Sequence, residues 1–145
     1  MNNNSTILLE VGVKVFLLNT DKKFLILKRV HPYHGQKIKK WDIPGGRIIP
    51  GENQLTALKR ELQEETSLTI TNVLRIITIQ DILRVPGKHT IRITYLATCQ
   101  SSPKIRLNPK EHEQYRWVTL KELQHTRYDT YLNGPIRKLE NEREE

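Results

Sequence analysis

The chain has 145 residues, 37% of them apolar and 28% charged, which is an ordinary globular composition and enough chain for a single packed core. No apolar run approaches the roughly 20 residues of a membrane-spanning helix, and the first residues lack the pattern of a secretory signal. The single cysteine, Cys99, excludes an intrachain disulfide and a multi-cysteine zinc site. We therefore expect one domain over residues 1–145 in a reducing, cytoplasmic location, without membrane association.

The charge balance is strongly basic. Twenty-four Lys and Arg residues against sixteen Asp and Glu residues give a net charge of +8. A basic surface attracts polyphosphates, nucleotides or nucleic acid. Solubility accounts for the same charge equally well, so charge alone identifies no site.

The first part of the chain predicts a β-hairpin. Residues 6–18 contain alternating valines and are typical of a long strand, and 24–30 should pair with it antiparallel after a polar turn. The second strand ends in Lys28-Arg29, and alternation points only one of these cations at any given site. The loop over 31–40 carries the densest basic run, which could gather an anionic substrate or simply be solvated.

The segment around residues 45–68 predicts a helix with Asn53 as its N-cap. Glu61, Glu64 and Glu65 occupy positions i, i+3 and i+4, which share one helix face. The adjacent apolar stripe consists of Leu55, Leu58 and Leu62. Like charges on one face repel each other, and a hard divalent cation such as Mg²⁺ would neutralise them. Three glutamates alone are more typical of a solvated acidic face than of a metal site.

The rest of the chain predicts further strands and a helical end. In chain order the pattern indicates a strand over 68–80, a loop over 81–89, a strand over 90–100, a loop over 109–113, a strand over 114–119, a helix over 120–125 and a helical segment over 128–145 interrupted at Gly134-Pro135. Cys99 and the tyrosines Tyr95 and Tyr115 are expected to be buried. This order indicates an α+β domain.

The helix and its approach resemble the Nudix box. Eight of nine motif positions match at the family's spacing: Gly46, Glu52, Arg60, Glu61, Leu62, Glu64, Glu65 and Leu68. The one departure is Ser67, where the family has glycine. Glycine at this position would favour the left-handed conformation that ends a helix, so serine either costs on the order of 1 kcal/mol in strain or leaves the helix differently. The departure removes no metal ligand.

The resemblance implies a fold, a reaction and a ligand set. The fold is an α/β/α sandwich with a mixed central β-sheet flanked by helices. The reaction is hydrolysis, dependent on Mg²⁺ or Mn²⁺, of a nucleoside diphosphate linked to another group. The implied metal ligands are the carbonyl of Gly46 and the carboxylates of Glu61, Glu64 and Glu65. Arg60 and Glu52 are implied to hold each other and the geometry of the loop and helix.

The resemblance also implies a general base in the box or in a downstream loop. We favour Glu111 as base or additional metal ligand, with an exposed loop carboxylate as the alternative. The predicted catalytic set is therefore Glu64, Glu61, Glu111, Arg60 and Glu52. A basic residue is common in the family where Lys28-Arg29 stands, and the predicted substrate-binding residues are Arg29, Lys40 and His112.

The function expected from the resemblance is MutT-like, with a nucleoside triphosphate or modified (d)NTP converted to monophosphate and pyrophosphate. ADP-ribose, dinucleoside polyphosphates and the 5′ end of RNA are alternative substrates, although RNA-directed bacterial relatives usually insert a glutamine before the box and this chain does not. A non-catalytic nucleotide or RNA sensor is the rival of another class. Such proteins typically lose a box glutamate, and none is lost here. Homodimers are common in the family.

Overall fold

The computed structural model describes residues 6–32, 36–100 and 104–143. Its strands are β1 Leu8–Leu18, β2 Phe24–Arg29, β3 Trp41–Asp42, β4 Gly45–Arg47, β5 Ile70–Ile82, β6 Lys88–Cys99 and β7 His112–Val118. Its helices are α1 Gln54–Thr66, α2 Leu120–Gln124 and α3 Asn133–Arg143, with a 3₁₀ turn over Thr130–Leu132 before α3. Parts of the predicted loop over 31–40 and the end of the predicted helical segment over 128–145 lie outside the described residues.

The mixed sheet is built around β1. The strand order is β3-β2-β1-β6-β5, with β4 added to β1 and β7 added to β2. β1 and β6 run parallel along their whole shared length, whereas β1 and β2 meet antiparallel only at Leu18 and Phe24. The predicted hairpin is confirmed, but β2 forms most of its ladder with β7.

Alternation along β1 creates two apolar cores, one on each face of the sheet. Val15 packs in a cluster with Leu58 of α1. Its neighbour Phe16 points to the opposite face and packs with Leu123 of α2 and Ile136 of α3. The helices therefore cover both faces, and the predicted α+β class with a mixed sheet between helices is confirmed.

α1 begins and ends largely as its sequence predicts. The Asn53 side chain accepts a hydrogen bond from the Thr56 amide at 2.9 Å. Ser67 adopts the left-handed conformation with φ 64°, and its amide donates to the carbonyl of Gln63 at 2.9 Å. The predicted apolar stripe is wrong at Leu55, which is 38% exposed, because the buried face continues through Ala57 instead.

Several predicted boundaries need correction. The loop between β5 and β6 spans only residues 83–87, since the antiparallel ladder extends to the pair of Ile82 and Thr90. β7 begins at His112 and not at residue 114, because pairing with Arg29 extends it. Trp41–Asp42 forms a short strand that the sequence did not indicate.

Two further predictions are wrong: the interruption of the last helix and the burial of one tyrosine. Gly134 and Pro135 do not break α3, because Pro135 lies in its first turn, where a missing amide hydrogen costs nothing. Tyr115 is 45% exposed, while Tyr95 and Cys99 are buried as predicted. Among the helices of the described ranges, none combines the length and the apolar character needed to cross a membrane.

Replacing Ser67 with glycine should stabilise the protein. Ser67→Gly removes the left-handed strain, and the free energy of unfolding should rise by about 0.5–1 kcal/mol after the added entropy of the unfolded chain is subtracted. Urea denaturation measures the change. Ser67→Ala keeps the strain and is the matched control. A glycine variant no more stable than the alanine variant would contradict the strain at this position.

Candidate active site

Gly45 and Gly46 of β4 pack directly against α1. Gly45 has φ +144°, and a Cβ atom there would lie 2.0 Å from the carbonyl oxygen of Val13. A Cβ atom at Gly46 would lie 2.4 Å from the carboxylate of Glu61. The Gly45 amide donates to Glu65 Oε1 at 2.7 Å. A side chain at Gly45 would therefore clash with β1, and a side chain at Gly46 would clash with the Glu61 carboxylate of α1.

The segment before β7 is attached to the end of α1. The last carbonyl groups of a helix have no partner within it. Here Arg106 and Asn108 donate their amides to the carbonyls of Thr66 and Glu65, at 2.9 and 3.3 Å. The Asn108 carbonyl in turn accepts hydrogen bonds from the amides of Glu111 and His112. These backbone bonds place Glu111 and His112 beside the glutamates of α1.

Glu65, Glu111 and His112 form a cluster in which one potential ligand atom of each lies within 4.8 Å of the others. Burial raises the pKa of Glu65 to about 8, and the charges of Glu61 and Glu111 act in the same direction, while Lys14 and the Gly45 amide oppose them. Burial also raises the pKa of Glu61. The carboxylates thus converge in a place where their negative charge is poorly solvated.

His112 is buried and neutral at pH 7. Burial lowers the pKa of His112 to about 4, with the Lys14 charge acting in the same direction. Its Nδ1 atom lies 3.6 Å from Glu65 Oε2, beyond hydrogen-bond distance, and has no hydrogen-bond partner within the described part of the chain. A neutral imidazole with a free nitrogen can accept a hydrogen bond or bind a metal.

The donor set fits a divalent cation. Glu61, Glu65 and Glu111 supply carboxylate oxygens, which Mg²⁺ and Mn²⁺ prefer, and the orphaned nitrogen of His112 lies beside them. A cation here would offset the mutual repulsion of the glutamates. The acidic cluster could therefore hold a metal ion.

Arg60 joins the loop and the helix as the sequence predicts. Its Nε and Nη2 atoms donate to the two carboxylate oxygens of Glu52 at 2.7 and 3.0 Å, and Nη2 also reaches the carbonyl of Arg47 at 3.0 Å. Nη1 donates to Glu61 at 3.0 Å and to Glu64 at 3.3 Å. The Arg60 guanidinium thus fixes the loop that leads into α1 through Glu52, and it also fixes the carboxylate of Glu61.

A cavity of about 1040 Å³ opens beside the carboxylates. Of the predicted site residues, those lining it are Gly46, Arg60, Glu61, Glu65, Glu111, His112 and Arg29. Three predicted residues are not in its lining. The side chain of Glu64 is 56% exposed and pairs with Arg60. Glu52 also pairs with Arg60. The carbonyl of Lys40 accepts a hydrogen bond from the Arg29 amide.

Cations on the strands complete the cavity lining, and four of them were not predicted as site residues: Lys14, Arg47, Lys88 and Arg92. Lys14 of β1 reaches Asp42 at 3.0 Å, and Arg92 of β6 lines the same wall. Each is a charged residue inside a run of apolar or β-branched residues. The sequence could have indicated both residues, because a strand that is buried on both faces rarely contains a charged residue without a specific role.

The model of a known family, described as the NUDIX domain, matches residues 8–139. The chain belongs to the Nudix family. The family predicted from the Gly46–Leu68 box is therefore confirmed.

Relatives and structural neighbours of this Nudix protein carry several names. It is 30% identical over 99 residues to a "Putative 8-oxo-dGTP diphosphatase 2" of Mycobacterium tuberculosis, covering 68% of this chain and 66% of that one. It is 32% identical over 107 residues to the "Bis(5'-nucleosyl)-tetraphosphatase [asymmetrical]" of Rattus norvegicus, covering 72% and 69%. The matched region thus spans about two thirds of each relative's length.

A solved structure resembles nearly the whole fold. The MutT protein of Methanosarcina mazei Go1 superposes with a TM-score of 0.81 over 99% of this chain and 100% of that one. Sequence identity is 23%, so this likeness shows the fold alone.

The close packing of Gly46 on Glu61 generates a test of the metal site. In Gly46→Ala the new methyl group displaces the end of the flexible Glu61 side chain, so the fold should survive while Mn²⁺ binds about 10- to 100-fold more weakly. Calorimetric titration with Mn²⁺ measures the affinity.

Gly134→Ala is the matched control. Its Cβ atom would meet the end of the flexible Gln80 side chain at 3.1 Å, outside the cavity lining, so Mn²⁺ affinity should be unchanged. Equal affinity in the wild type and Gly46→Ala would show that Glu61 takes no part in metal binding.

Proposed function

We propose that this chain is a Mg²⁺-dependent Nudix pyrophosphohydrolase, also able to use Mn²⁺, that converts a nucleoside triphosphate or modified (d)NTP to the monophosphate and pyrophosphate. One observation carries the proposal. Glu61, Glu65 and Glu111 meet in a cavity whose other walls bring cations toward the same space. Carboxylates for a metal ion next to cations for phosphate are what hydrolysis of a phosphoanhydride requires.

The chain's own residues have distinct roles in this proposal. A bound Mg²⁺ would screen the phosphate charge and make a coordinated water more acidic. Glu61 and Glu65, with the Gly46 carbonyl, hold the metal. Glu111 is the proposed general base, since it is the exposed member of the cluster and can reach a water molecule at the mouth of the cavity.

Neighbouring residues bind the substrate or support the ligands. Arg29 and the neutral His112 are proposed to contact substrate phosphate, because both line the cavity. Arg60 and Glu52 keep Glu61 in place. The roles predicted for Glu64 and Lys40 stay predictions, as do the homodimer and the cytoplasmic location.

Two features support a nucleotide as substrate. A volume of about 1040 Å³ lies at the upper end of the roughly 300–1000 Å³ usual for small-molecule sites, which suits a nucleotide. The mycobacterial relative is named for a nucleoside triphosphate, 8-oxo-dGTP. The same volume, together with the name of the rat relative, favours a dinucleoside polyphosphate as the second candidate.

A substrate panel with matched variants tests the proposal. Canonical and oxidised (d)NTPs, Ap4A, ADP-ribose and 5′-triphosphorylated RNA are incubated with Mg²⁺, and the products are separated to distinguish pyrophosphate from phosphate release. We expect nucleoside triphosphates to yield monophosphate and pyrophosphate. Glu61→Gln should lower kcat on the order of 100-fold through weaker metal binding.

Glu113→Gln is the control for that loss. Glu113 carries the same charge, lies two residues from Glu111 and pairs with Lys39 at 2.9 Å, outside the cavity lining. Its variant should keep wild-type turnover. No turnover of any compound, combined with tight nucleotide or RNA binding, would indicate a sensor. Turnover unchanged in Glu61→Gln would contradict the ligand set.

A further inference from the structure

Arg92 of β6 is half-buried and lines the cavity. Its Nε and Nη1 atoms are buried, and neither has a hydrogen-bond partner among residues 6–32, 36–100 and 104–143. Burying N–H groups without a hydrogen-bond partner costs free energy. A side chain of this kind is explained if a ligand supplies the missing partner.

The guanidinium of Arg92 lies close to Gly12 and to the carbonyl of Gly46. Arg92 pairs with Gly12 in the β1–β6 register. A Cβ atom at Gly12 would lie 3.7 Å from the carbonyl oxygen of Gly46 and 3.9 Å from Arg92 Nε. Gly12 has no side chain between Arg92 and Gly46, and both of these residues line the cavity.

An aromatic ring holds Arg92 in position. Its Cζ atom lies 4.3 Å from the centre of the Tyr131 ring, which is a favourable cation–π distance. The Tyr131 hydroxyl donates to Asp42 Oδ1 at 2.6 Å, and Asp42 also pairs with Lys14 at 3.0 Å. Stacking on the ring face orients the guanidinium plane and leaves its N–H groups available.

Neighbouring polar groups do not neutralise Arg92. The nearest carboxylate along β1 is Glu10, whose oxygens accept from Thr90 at 3.0 Å and from Arg47 at 3.3 Å. Gln80 stands opposite on β5, but it donates to the Tyr131 carbonyl at 3.1 Å, and its Oε1 atom also has no partner in the described part of the chain. The charge of Arg92 is therefore not paired with a carboxylate of the described residues.

We propose that Arg92 binds the phosphate chain of the substrate, next to the carboxylate cluster. The planar guanidinium matches phosphate oxygens and stays charged when desolvated. A phosphate chain is favoured over a neutral nucleobase edge, since only an anion neutralises the guanidinium charge. This inference rests on the proposed function, because it assigns a substrate contact in the same cavity.

Binding of inorganic tripolyphosphate in the presence of Mg²⁺ tests Arg92 without requiring turnover. Thermal melts and calorimetric titrations compare the wild type with Arg92→Met, which keeps an apolar stem on the Tyr131 ring. Without ligand, the variant should melt at or above the wild-type Tm, since buried N–H groups that lack hydrogen-bond partners have been removed. Its affinity for tripolyphosphate should fall about 10- to 100-fold, the value of a hydrogen bond to a charged group.

Further variants and kinetics sharpen the test. Arg92→Lys should recover part of the affinity. Arg137→Met, an exposed arginine on α3 outside the cavity lining, is the matched control and should bind like the wild type. For a hydrolysed nucleotide, Arg92→Met should raise KM by a similar factor and leave kcat within about threefold, as expected for contacts kept from ground state to transition state.

Each contrary result would overturn the inference. Wild-type affinity for tripolyphosphate in Arg92→Met would do so, as would a lower Tm or a failure to fold, which would indicate a structural role. Loss of affinity for a nonhydrolysable nucleoside triphosphate with tripolyphosphate binding unchanged would place Arg92 at the nucleoside. A wild type that binds tripolyphosphate through Arg92 but hydrolyses no nucleotide would contradict the proposed reaction and not this contact.

Discussion

The site depends on carboxylates brought against glycine backbone in a poorly solvated place. Glu65 is 3% exposed and is held by a single amide of the Gly45 turn, while Glu61 packs where a Gly46 side chain would otherwise stand. Close like charges raise each other's free energy, and burial strengthens the effect because solvent screens it less. The arrangement persists because α1 and the sheet share a core that fixes the helix. A divalent cation would relieve the remaining repulsion.

Cations are divided between supporting the carboxylates and facing the open cavity. Arg60 is fully engaged by Glu52, Glu61 and a backbone carbonyl, so it maintains geometry. Lys14 faces both Asp42 and the electrostatic field of Glu65. Arg92 has stacking but no hydrogen bond among the described residues. Arg92 therefore differs from the supporting cations Arg60 and Lys14, and the net charge of +8 alone could not show that difference.

Local patterns predicted the parts of the structure that are set locally. The spacing from Gly46 to Leu68 located α1, and Asn53 and Ser67 mark its ends through side-chain capping and a left-handed residue. The different environments of Glu64 and Glu65 were not predicted. In an isolated helix each of them shares a face with Glu61, but packing on the sheet buries Glu65 and leaves Glu64 exposed at the surface.

Contacts between distant segments could not be derived from the sequence. The parallel pairing of β1 with β6 joins residues about eighty positions apart, and it is this pairing that brings Arg92 to Gly12. The attachment of the 104–111 segment to the end of α1 uses backbone groups, which carry no sequence signal, yet it places Glu111 and His112. The family resemblance supplied Glu111 as a candidate, and nothing local distinguished it from Glu113.

The most direct measurement is the position of the metal itself. Crystals grown with Mn²⁺ and measured for anomalous scattering should show a peak in the cavity, about 2.1 Å from carboxylate oxygens of Glu61 and Glu65 and from the Gly46 carbonyl. That result would establish the cluster as the metal centre of a hydrolase. No peak in the cavity at saturating Mn²⁺ would contradict the account.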